Sequence, residues 1–507
     1  MFGRPSQPEN DRPSRKRWLG IPGLRGAILG ASDPAPPATP RRSTINQKQL
    51  TGKLAGLSLP RQVLVLALWP MLEQVMNFTV GLVDMAIAGR LPGEDTSLDA
   101  LDAIGVASYF VWFMTILQAA VGVGASAIVS RAIGASHRRL ANAGTGQAIL
   151  LGVGSALFAA AVIFAAAPWI AASFGLQGVA QQMASDYIRI TAVGIPMCGV
   201  LFTGSAVLRA AGDTRSPFLA MVLVNLVNVV VSVGLGGLRV GDQVIGLGLG
   251  VNGIAWGTAI AWVVGGAAVL LILLSGRSEL RLRPHRLKPH WHTMRRIIRV
   301  AMPNLYFQIA FWGINLGLLI YIGFLDDEGA FGAHSIAMRI KGISFLPGFA
   351  ISVAASTLTG QYLGLGDPQR ARRATYLAMF GAMGLMTFCS FFFFVIPDTL
   401  VSLISPDEPQ HVALAAPLLR LAALDGPFLA VHLILYGAMQ GAGDTRNTAI
   451  LNLVILVALR LVGAYVFAFP LGLGLWGIWL AIIIDIIVRG IVFYFYYQTN
   501  RWAKTVV

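Results

Sequence analysis

The feature that most limits what this chain can become is a series of long windows with few or no charges, among them Ala148 to Ile170, Phe218 to Leu235, Ile254 to Leu274 and Thr448 to Phe469. Each is long enough to cross a hydrocarbon core of about 30 Å as a helix. The sequence lacks the other spanning pattern, segments of roughly ten residues that alternate in polarity. Helices are therefore the way this backbone satisfies its polar groups in lipid. Composition agrees: only 12% of the 507 residues are charged, against roughly a quarter in soluble domains. The chain reads as an all-α integral membrane protein.

The formal net charge of +15 raises the question of nucleic acid. However, the basic residues gather in the N-terminal tail and in short segments between spans, which is an orientation signal, and no nucleic-acid partner is expected. The two cysteines, Cys198 and Cys389, lie inside apolar windows and read as packing residues rather than a disulfide or a thiolate site. Residues 1–53 mix Pro, Ser and Arg, including Arg15, Lys16, Arg17, Arg41 and Arg42, and are expected to be a disordered basic tail.

From Pro60 onward about twelve spans are expected: 61–89, 103–131, 141–168, 182–208, 217–238, 250–274, 295–323, 330–361, 373–397, 411–438, 448–469 and 473–497. An even number puts both termini on one side. Loops on that side carry His137, Arg138, Arg139, Arg209, Arg215, the run Arg277 to Arg299, Arg370, Arg372, Arg373 and Arg446. Opposite loops carry Glu94, Asp95, Asp99, Asp102, Asp326, Asp327, Glu328, Asp407 and Glu408, with Arg90 and Arg239 the basic exceptions. This asymmetry places both termini in the cytoplasm of a cell (inner) membrane crossed many times.

The chain also repeats itself. Leu208 to Arg215, ending in Gly212-Asp213-Thr214-Arg215, returns as Met439 to Arg446, ending in Gly443-Asp444-Thr445-Arg446, an offset of 231 residues. Pro70 pairs with Pro303, Gly134 with Gly364, Pro196 with Pro427, and Gly253 with Gly477. Six spans per copy is even, so the copies insert in the same orientation, as six-helix lobes related by a parallel pseudo-two-fold. The expected divisions are an N-lobe over 54–275, a cytoplasmic linker over 276–294, a C-lobe over 295–497 and a C-terminal tail over 498–507. Ser216 is expected to cap, and Pro217 to begin, the helix after the first Asp213 segment.

Several patterns invite chemistry and do not carry it. Gly248 to Gly253 matches the dinucleotide fingerprint, but no strand-turn-helix unit surrounds it, and Gly472 to Gly477 repeats it in the other half, so both read as tight helix entries. No phosphate-binding loop of the Walker type is present, so coupling to an ion gradient is favoured over ATP hydrolysis, and no bound cofactor or metal is expected. His285, His290 and His292 have spacings a metal could use, but they lie among Arg and Lys and read as a solvated basic loop. His334 and His432 read as polar packing groups.

The chemical signal lies in the first span. Glu73, Asn77 and Asp84 fall at i, i+4 and i+11, and eleven steps of 100° return to within about 20° of the start, so the three share a face. A carboxylate inside a bilayer costs several kcal/mol unless it is protonated, ion-bound or in contact with water. Asp84 is thus the first candidate for a proton or cation site, and Glu73 and Asn77 are candidates beside it. Asn225, Asn228 and Ser232 share a face of the fifth span, and Thr258 lies in the sixth. In the second half, Asn304, Gln308 and Asn315 line the seventh span, Asp425 is the main intramembrane acid, and Asp485 stands four residues from Arg489, a spacing for an internal salt bridge.

Together these residues resemble the multidrug and toxic compound extrusion (MATE) family over about residues 55–497. The resemblance rests on the twinned Gly-Asp-Thr-Arg segments, on Val83-Asp84-Met85-Ala86-Ile87-Ala88-Gly89, and on Ile336-Ala337-Met338-Arg339-Ile340 leading to Phe345-Leu346-Pro347-Gly348-Phe349 and Gly360-Gln361-Tyr362-Leu363-Gly364. It implies two six-helix lobes around a V-shaped cavity and export of organic, often cationic, compounds driven by inward H⁺ or Na⁺. It also implies that Asp84, Asn228 and Thr258 match the aspartate, asparagine and threonine lining the family's N-lobe cation site. Where the family often has a second aspartate, this chain has Ser232. The helix 7 glutamate of NorM-like members is absent near Ala310 and Phe311, and Asp425 lies about one turn before their helix 10 aspartate. These departures favour the DinF-like branch.

The expectation is an antiporter, not an enzyme, that exchanges amphipathic organic molecules for H⁺, with Na⁺ as the alternative ion. Its coupling set is Asp84, Asn228, Thr258, Asn77, Glu73 and Ser232, with Asp425 as the second-lobe candidate. Its partners are a small organic substrate and the bilayer, and the chain is expected to act as a monomer. Two rivals are a lipid or polysaccharide-precursor flippase of the same superfamily, for which Arg460 and Arg489 would be the cavity cations, and a membrane-embedded enzyme using Glu73, Asp84 and a histidine.

Overall fold

The computed structural model describes residues 50, 52–89, 91, 94–240, 243–283, 287–325, 329–405 and 409–505. The basic tail up to residue 49, and Arg90, His285, Asp326, Asp327, Glu328, Asp407 and Glu408, lie outside the described residues.

Long helices dominate: α1 (Leu59–Ala88), α2 (Glu94–Gly134), α3 (Arg138–Ser173), α4 (Gly178–Ala210), α5 (Arg215–Gly236), α6 (Gly250–Ser275), α7 (Trp291–Gly323), α8 (Ala330–Leu365) and α9 (Pro368–Val395). The chain continues through α10 (Pro397–Ser402), α11 (Pro409–Ala422), α12 (Gly426–Ala442), α13 (Thr445–Ile455), a π-helical stretch (Leu456–Val462), α14 (Gly463–Ala468) and α15 (Gly474–Gln498). Among the described residues, ten helical segments are long and apolar enough to cross a membrane, and α11 with α12 make an eleventh. The remaining expected span is α1, whose 30 residues reach about 45 Å at 1.5 Å per residue.

Three features depart from the plain series of spans expected from the sequence. The span expected at 411–438 is broken, and α11 and α12 meet at 58°. Asp425 occupies the break, and Gly426-Pro427 restarts the helix, since proline tolerates only the first helical turn, where its missing N–H is not needed. The span expected at 448–469 passes through the π-helical stretch. A short antiparallel hairpin, Leu238–Val240 with Gln243–Ile245, joins α5 to α6 and was not expected from the sequence. The glycine-rich turns that follow do as expected: Gly248 and Gly250 leading into α6, and Gly472 and Gly474 leading into α15, where Gly250 and Gly474 are the first helical residues, all have positive φ, which glycine adopts without steric cost.

The halves build separate cores. One buried apolar cluster draws on residues from Ile87 to Ile297. The other runs from Leu318 to Trp502 and also takes in Leu50, Leu54, Leu66 and Ala67, so the first turns of α1 pack on the second half. Leu280 and Leu282, within the expected linker, are buried in the first core, and Leu282 N–H donates to Leu273 O at 2.8 Å.

The twinned Asp segments prove to be corner pieces. Asp213, rather than Ser216, does the capping: its Oδ1 accepts from Ser216 N–H at 3.4 Å and its Oδ2 from Ser216 Oγ–H at 2.8 Å. Lys53 Nζ lies 2.9 Å from the same carboxylate. In the second copy Asp444 accepts from Asn447 Nδ2 and from Tyr496 Oη–H, both at 2.8 Å.

The two halves close on each other at the end where α2, α4, α8 and α12 terminate. A Cβ on Gly134 would stand 1.9 Å from Gln361 O, one on Gly364 2.1 Å from Arg131 O, and one on Gly360 2.0 Å from Ser130 Oγ. Such close backbone approach across helices requires a missing side chain. Polar bonds cross the same seam: Thr357 Oγ–H donates to Arg209 O at 3.2 Å, Gln361 Nε2 to Ala210 O at 2.9 Å, and Arg131 guanidinium nitrogens to Ala442 O at 2.7 Å and Thr505 O at 2.8 Å. Within the first half, Glu73 of α1 is buried and accepts from Arg209 of α4 at 2.7 and 3.0 Å. Arg209, counted in the sequence as a loop cation, is thus an internal tie in the last turn of α4.

Two outcomes follow for stability. Gly134→Ala forces a methyl against an immovable carbonyl and costs about 1–3 kcal/mol, read as a lower thermal midpoint of the purified protein; an unchanged midpoint would mean the helices stand further apart. Arg209→Met strands a buried carboxylate and costs about 3–5 kcal/mol. Adding Glu73→Gln recovers most of that loss if the two side chains act as a pair.

Candidate functional site

Asp84 lies on the last turns of α1, where the helix passes between α4, α5 and α6. Only 4% of the residue is exposed. Its Oδ1 accepts from Asn228 Nδ2 of α5 at 3.3 Å, and its Oδ2 accepts from Thr258 Oγ–H of α6 at 3.0 Å and from Tyr187 Oη–H of α4 at 3.4 Å. Asn228 Nδ2 also stands 3.2 Å from Thr258 Oγ1 and 3.5 Å from Ser232 Oγ. Asn228 and Ser232 are wholly inaccessible and Thr258 nearly so.

The arrangement follows from the helix geometry of each contributor. Asn228 and Ser232 are one turn apart and so share a face of α5. Gly257 opens the facing surface of α6, since a Cβ there would lie 2.0 Å from Ser232 Oγ. That gap lets α5 and α6 approach until Thr258 reaches the carboxylate.

All three groups that touch Asp84 are neutral hydrogen-bond donors, and among the described residues no Lys or Arg pairs with it. A carboxylate so held at membrane depth is stabilised by hydrogen bonds but not by a counter-charge. Asn228 Oδ1 is buried with no partner. It therefore leaves an acceptor on the amide that already contacts Asp84.

The sequence candidates divide. Asp84, Asn228, Thr258 and Ser232 come together. Glu73 and Asn77 do not join them: Glu73 turns to Arg209, and Asn77 Nδ2 donates to Gln74 Oε1 at 3.1 Å. Glu73 and Asp84 do face one side, as the eleven-residue spacing requires, for both reach α4, at Arg209 and at Tyr187. Tyr187 was not among the candidates. Its signal was weak, a hydroxyl one turn before Thr191 in a stretch that also carries Ser185, Asp186 and Arg189.

In the second half Asp425 is buried and paired with Lys341 of α8, which also lies 5.7 Å from the Trp479 ring centre. Lys341 escaped notice although it directly follows the Ile336 to Ile340 motif. Asp485 takes the internal bridge to Arg489 and a second bond from Arg460 Nε at 2.9 Å. His334 Nδ1 accepts from Trp479 Nε1 at 3.2 Å, and His432 Nε2 lies 2.9 Å from Asn452 Oδ1. The described residues bring no histidine to Glu73 or Asp84, which the enzyme reading would need.

Comparison with known proteins agrees on the architecture. A protein from Thermotoga maritima named probable multidrug resistance protein NorM is 27% identical over 453 residues, covering 88% of this chain and 94% of its own. A protein from Shewanella oneidensis named FAD transporter is 26% identical, covering 79% of this chain and 87% of its own. A solved structure described as the outward-facing conformation of a multidrug resistance MATE family transporter of the MOP superfamily superposes with a TM-score of 0.79 at 22% identity, covering 89% of this chain and 98% of that one. The family model described as MatE matches twice, over residues 70–233 and 303–466. The second match starts 233 residues after the first, which is the repeat read from the sequence, and together they take up more than half the chain. This chain therefore belongs to the MatE family, the multidrug and toxic compound extrusion transporters, and not among the membrane-embedded enzymes.

Proposed function

We propose that this protein is a secondary antiporter that exports amphipathic, often cationic, organic compounds in exchange for H⁺, with Asp84 as the coupling carboxylate. The observation that carries the reading is a buried acid contacted by Tyr187, Asn228 and Thr258 with, among the described residues, no cation beside it. Such a group has two states of different charge. Ionised, it accepts three hydrogen bonds and remains the natural partner of a cation. Protonated, it loses the charge that lipid depth penalises, and the unpartnered Oδ1 of Asn228 offers an acceptor for the new proton once the amide turns.

Loss of a buried charge changes the relative free energies of two helix packings by a few kcal/mol, which is the scale on which such equilibria tip. The proton is favoured over sodium by Ser232. Sodium prefers several anionic or carbonyl oxygens, and the position that would supply a second carboxylate carries a hydroxyl instead. The same feature supports the DinF-like branch. With both termini in the cytoplasm, the twinned Asp corners and the closed seam between α2 and α8 lie on the cytoplasmic side.

The test is export of a fluorescent organic cation from proteoliposomes under an imposed pH gradient and, separately, an imposed Na⁺ gradient. Wild-type protein is expected to respond to the pH gradient. Asp84→Asn is expected to abolish that response while the protein still folds, because asparagine keeps the shape, can accept from Asn228 through its oxygen and donate to the Thr258 and Tyr187 hydroxyls through its nitrogen, but cannot change charge. Thr258→Val, which removes one donor, is expected to lower the rate about tenfold or more and to shift its pH profile. Full transport by Asp84→Asn, or dependence on Na⁺ alone, would overturn the assignment.

A further inference from the structure

The second half buries a charge cluster of opposite sign. Lys341, Asp425, Arg460, Asp485 and Arg489 are each less than a tenth exposed. Lys341 pairs with Asp425, whereas Arg460 and Arg489 share the single carboxylate of Asp485. Three cations thus stand against two acids, and one positive charge is left over in the interior of a membrane lobe. A surplus of that kind is costly unless something anionic visits it.

Two further observations point to a ligand. Arg489 Nε and Asn452 Nδ2 are buried donors with no partner. Asn452 spends its oxygen on His432, which fixes its amide nitrogen as the unfilled end. Secondly, Arg460 sits inside the π-helical stretch Leu456–Val462, a form that is rare in helices and frequent at functional sites. Its guanidinium carbon lies 5.7 Å from the ring centre of Phe311 on α7. The offset of 231 set by Asp213 and Asp444 carries Asn228 to position 459, so Arg460 stands in the second lobe next to the counterpart of a ligand of Asp84.

We propose that Arg460, Arg489 and Asn452 form an anion site, which takes a carboxylate or phosphate group of the exported compound. The unfilled groups are donors only, and guanidinium forks match the planar or tetrahedral oxygens of such anions. With an acid in one lobe and surplus arginine in the other, the preferred cargo is an amphipathic molecule carrying both a cationic and an acidic group. That identification of the anion as cargo rests on the transport reading above; the anion site itself does not.

The test is equilibrium dialysis of the purified full-length protein with radiolabelled benzoate, using benzamide and inorganic phosphate as competitors. Saturable binding that benzamide does not displace is expected. Arg489→Met should weaken it at least tenfold, about 1.4 kcal/mol, and Arg489→Lys less. Asn452→Ala, which leaves every ion pair intact, should weaken it severalfold and covers the case in which Arg489→Met fails to fold. Weak displacement by phosphate assigns the site to organic acids, and displacement as strong as by unlabelled benzoate assigns it to free anions; both support the site. Asp84→Asn should bind benzoate normally while losing gradient-driven export, so failure of either reading is seen apart from the other. Absence of saturable binding, equal competition by benzamide, or unchanged binding in both Arg489→Met and Asn452→Ala would overturn the proposal.

Discussion

One constraint runs through the molecule: inside a bilayer every polar group must find its partner within the protein. For the backbone this forces long helices. For side chains it forces the few ionisable groups into defined company, and the company decides what each can do. Glu73 meets Arg209 and becomes a tie between α1 and α4. Asp444 meets Asn447 and Tyr496 and becomes a corner. Asp84 meets only neutral donors, so its charge is left open to change. Glu73 and Asp84 share burial on one helix; what separates them is that Glu73 already has a partner charge whereas Asp84, among the described residues, has none, and the proposed coupling role rests on that difference.

The fold was legible because the features that set it are dense in the sequence. Uncharged windows give the spans, and the Gly-Asp-Thr-Arg twins give the repeat. Paired glycines mark where helices must touch, as Gly134 and Gly364 do at the seam between α2 and α8. Breaks inside spans were less legible. Asp425-Gly426-Pro427 reads in hindsight as a helix restart, but the apolar run on both sides masked it. The π-helical stretch has no proline or glycine inside it to announce it. The hairpin between α5 and α6 is only three residues per strand, too short for alternation to show.

Of the site, the cost of a carboxylate inside the bilayer pointed to Asp84, helical periodicity placed Ser232 on the face of Asn228, and the resemblance joined Asn228 and Thr258 to Asp84. Periodicity failed for Glu73 and Asn77 for a simple reason. A shared face says which side a residue points to, not what waits at that height along the neighbouring helix. Glu73 lies eleven residues from Asp84, about 16 Å along the axis, and at that level α4 presents Arg209 rather than Tyr187. Tyr187 and Lys341 were missed because neither belongs to a spaced acidic pattern. The intramembrane lysine could still have been found from the rarity of such a charge alone.

Duplication explains why the halves agree in some features and differ in others. Contacts between backbones tolerate no side chain, so glycines at the seam, at Gly253 and at Gly477 are fixed by geometry in both copies. Interior polar positions obey a weaker rule, that each be satisfied, and many residue sets meet it. At the place where the first lobe sets a lone acid among neutral donors, the second sets arginines around an acid. Both sets draw on corresponding helices, α5 and α6 in the first lobe and the π-helical stretch and α15 in the second, and with Asp84 ionised they leave residual charges of opposite sign. On the proposed reading, a molecule carrying both charges has an acid to meet in one lobe and surplus arginine in the other.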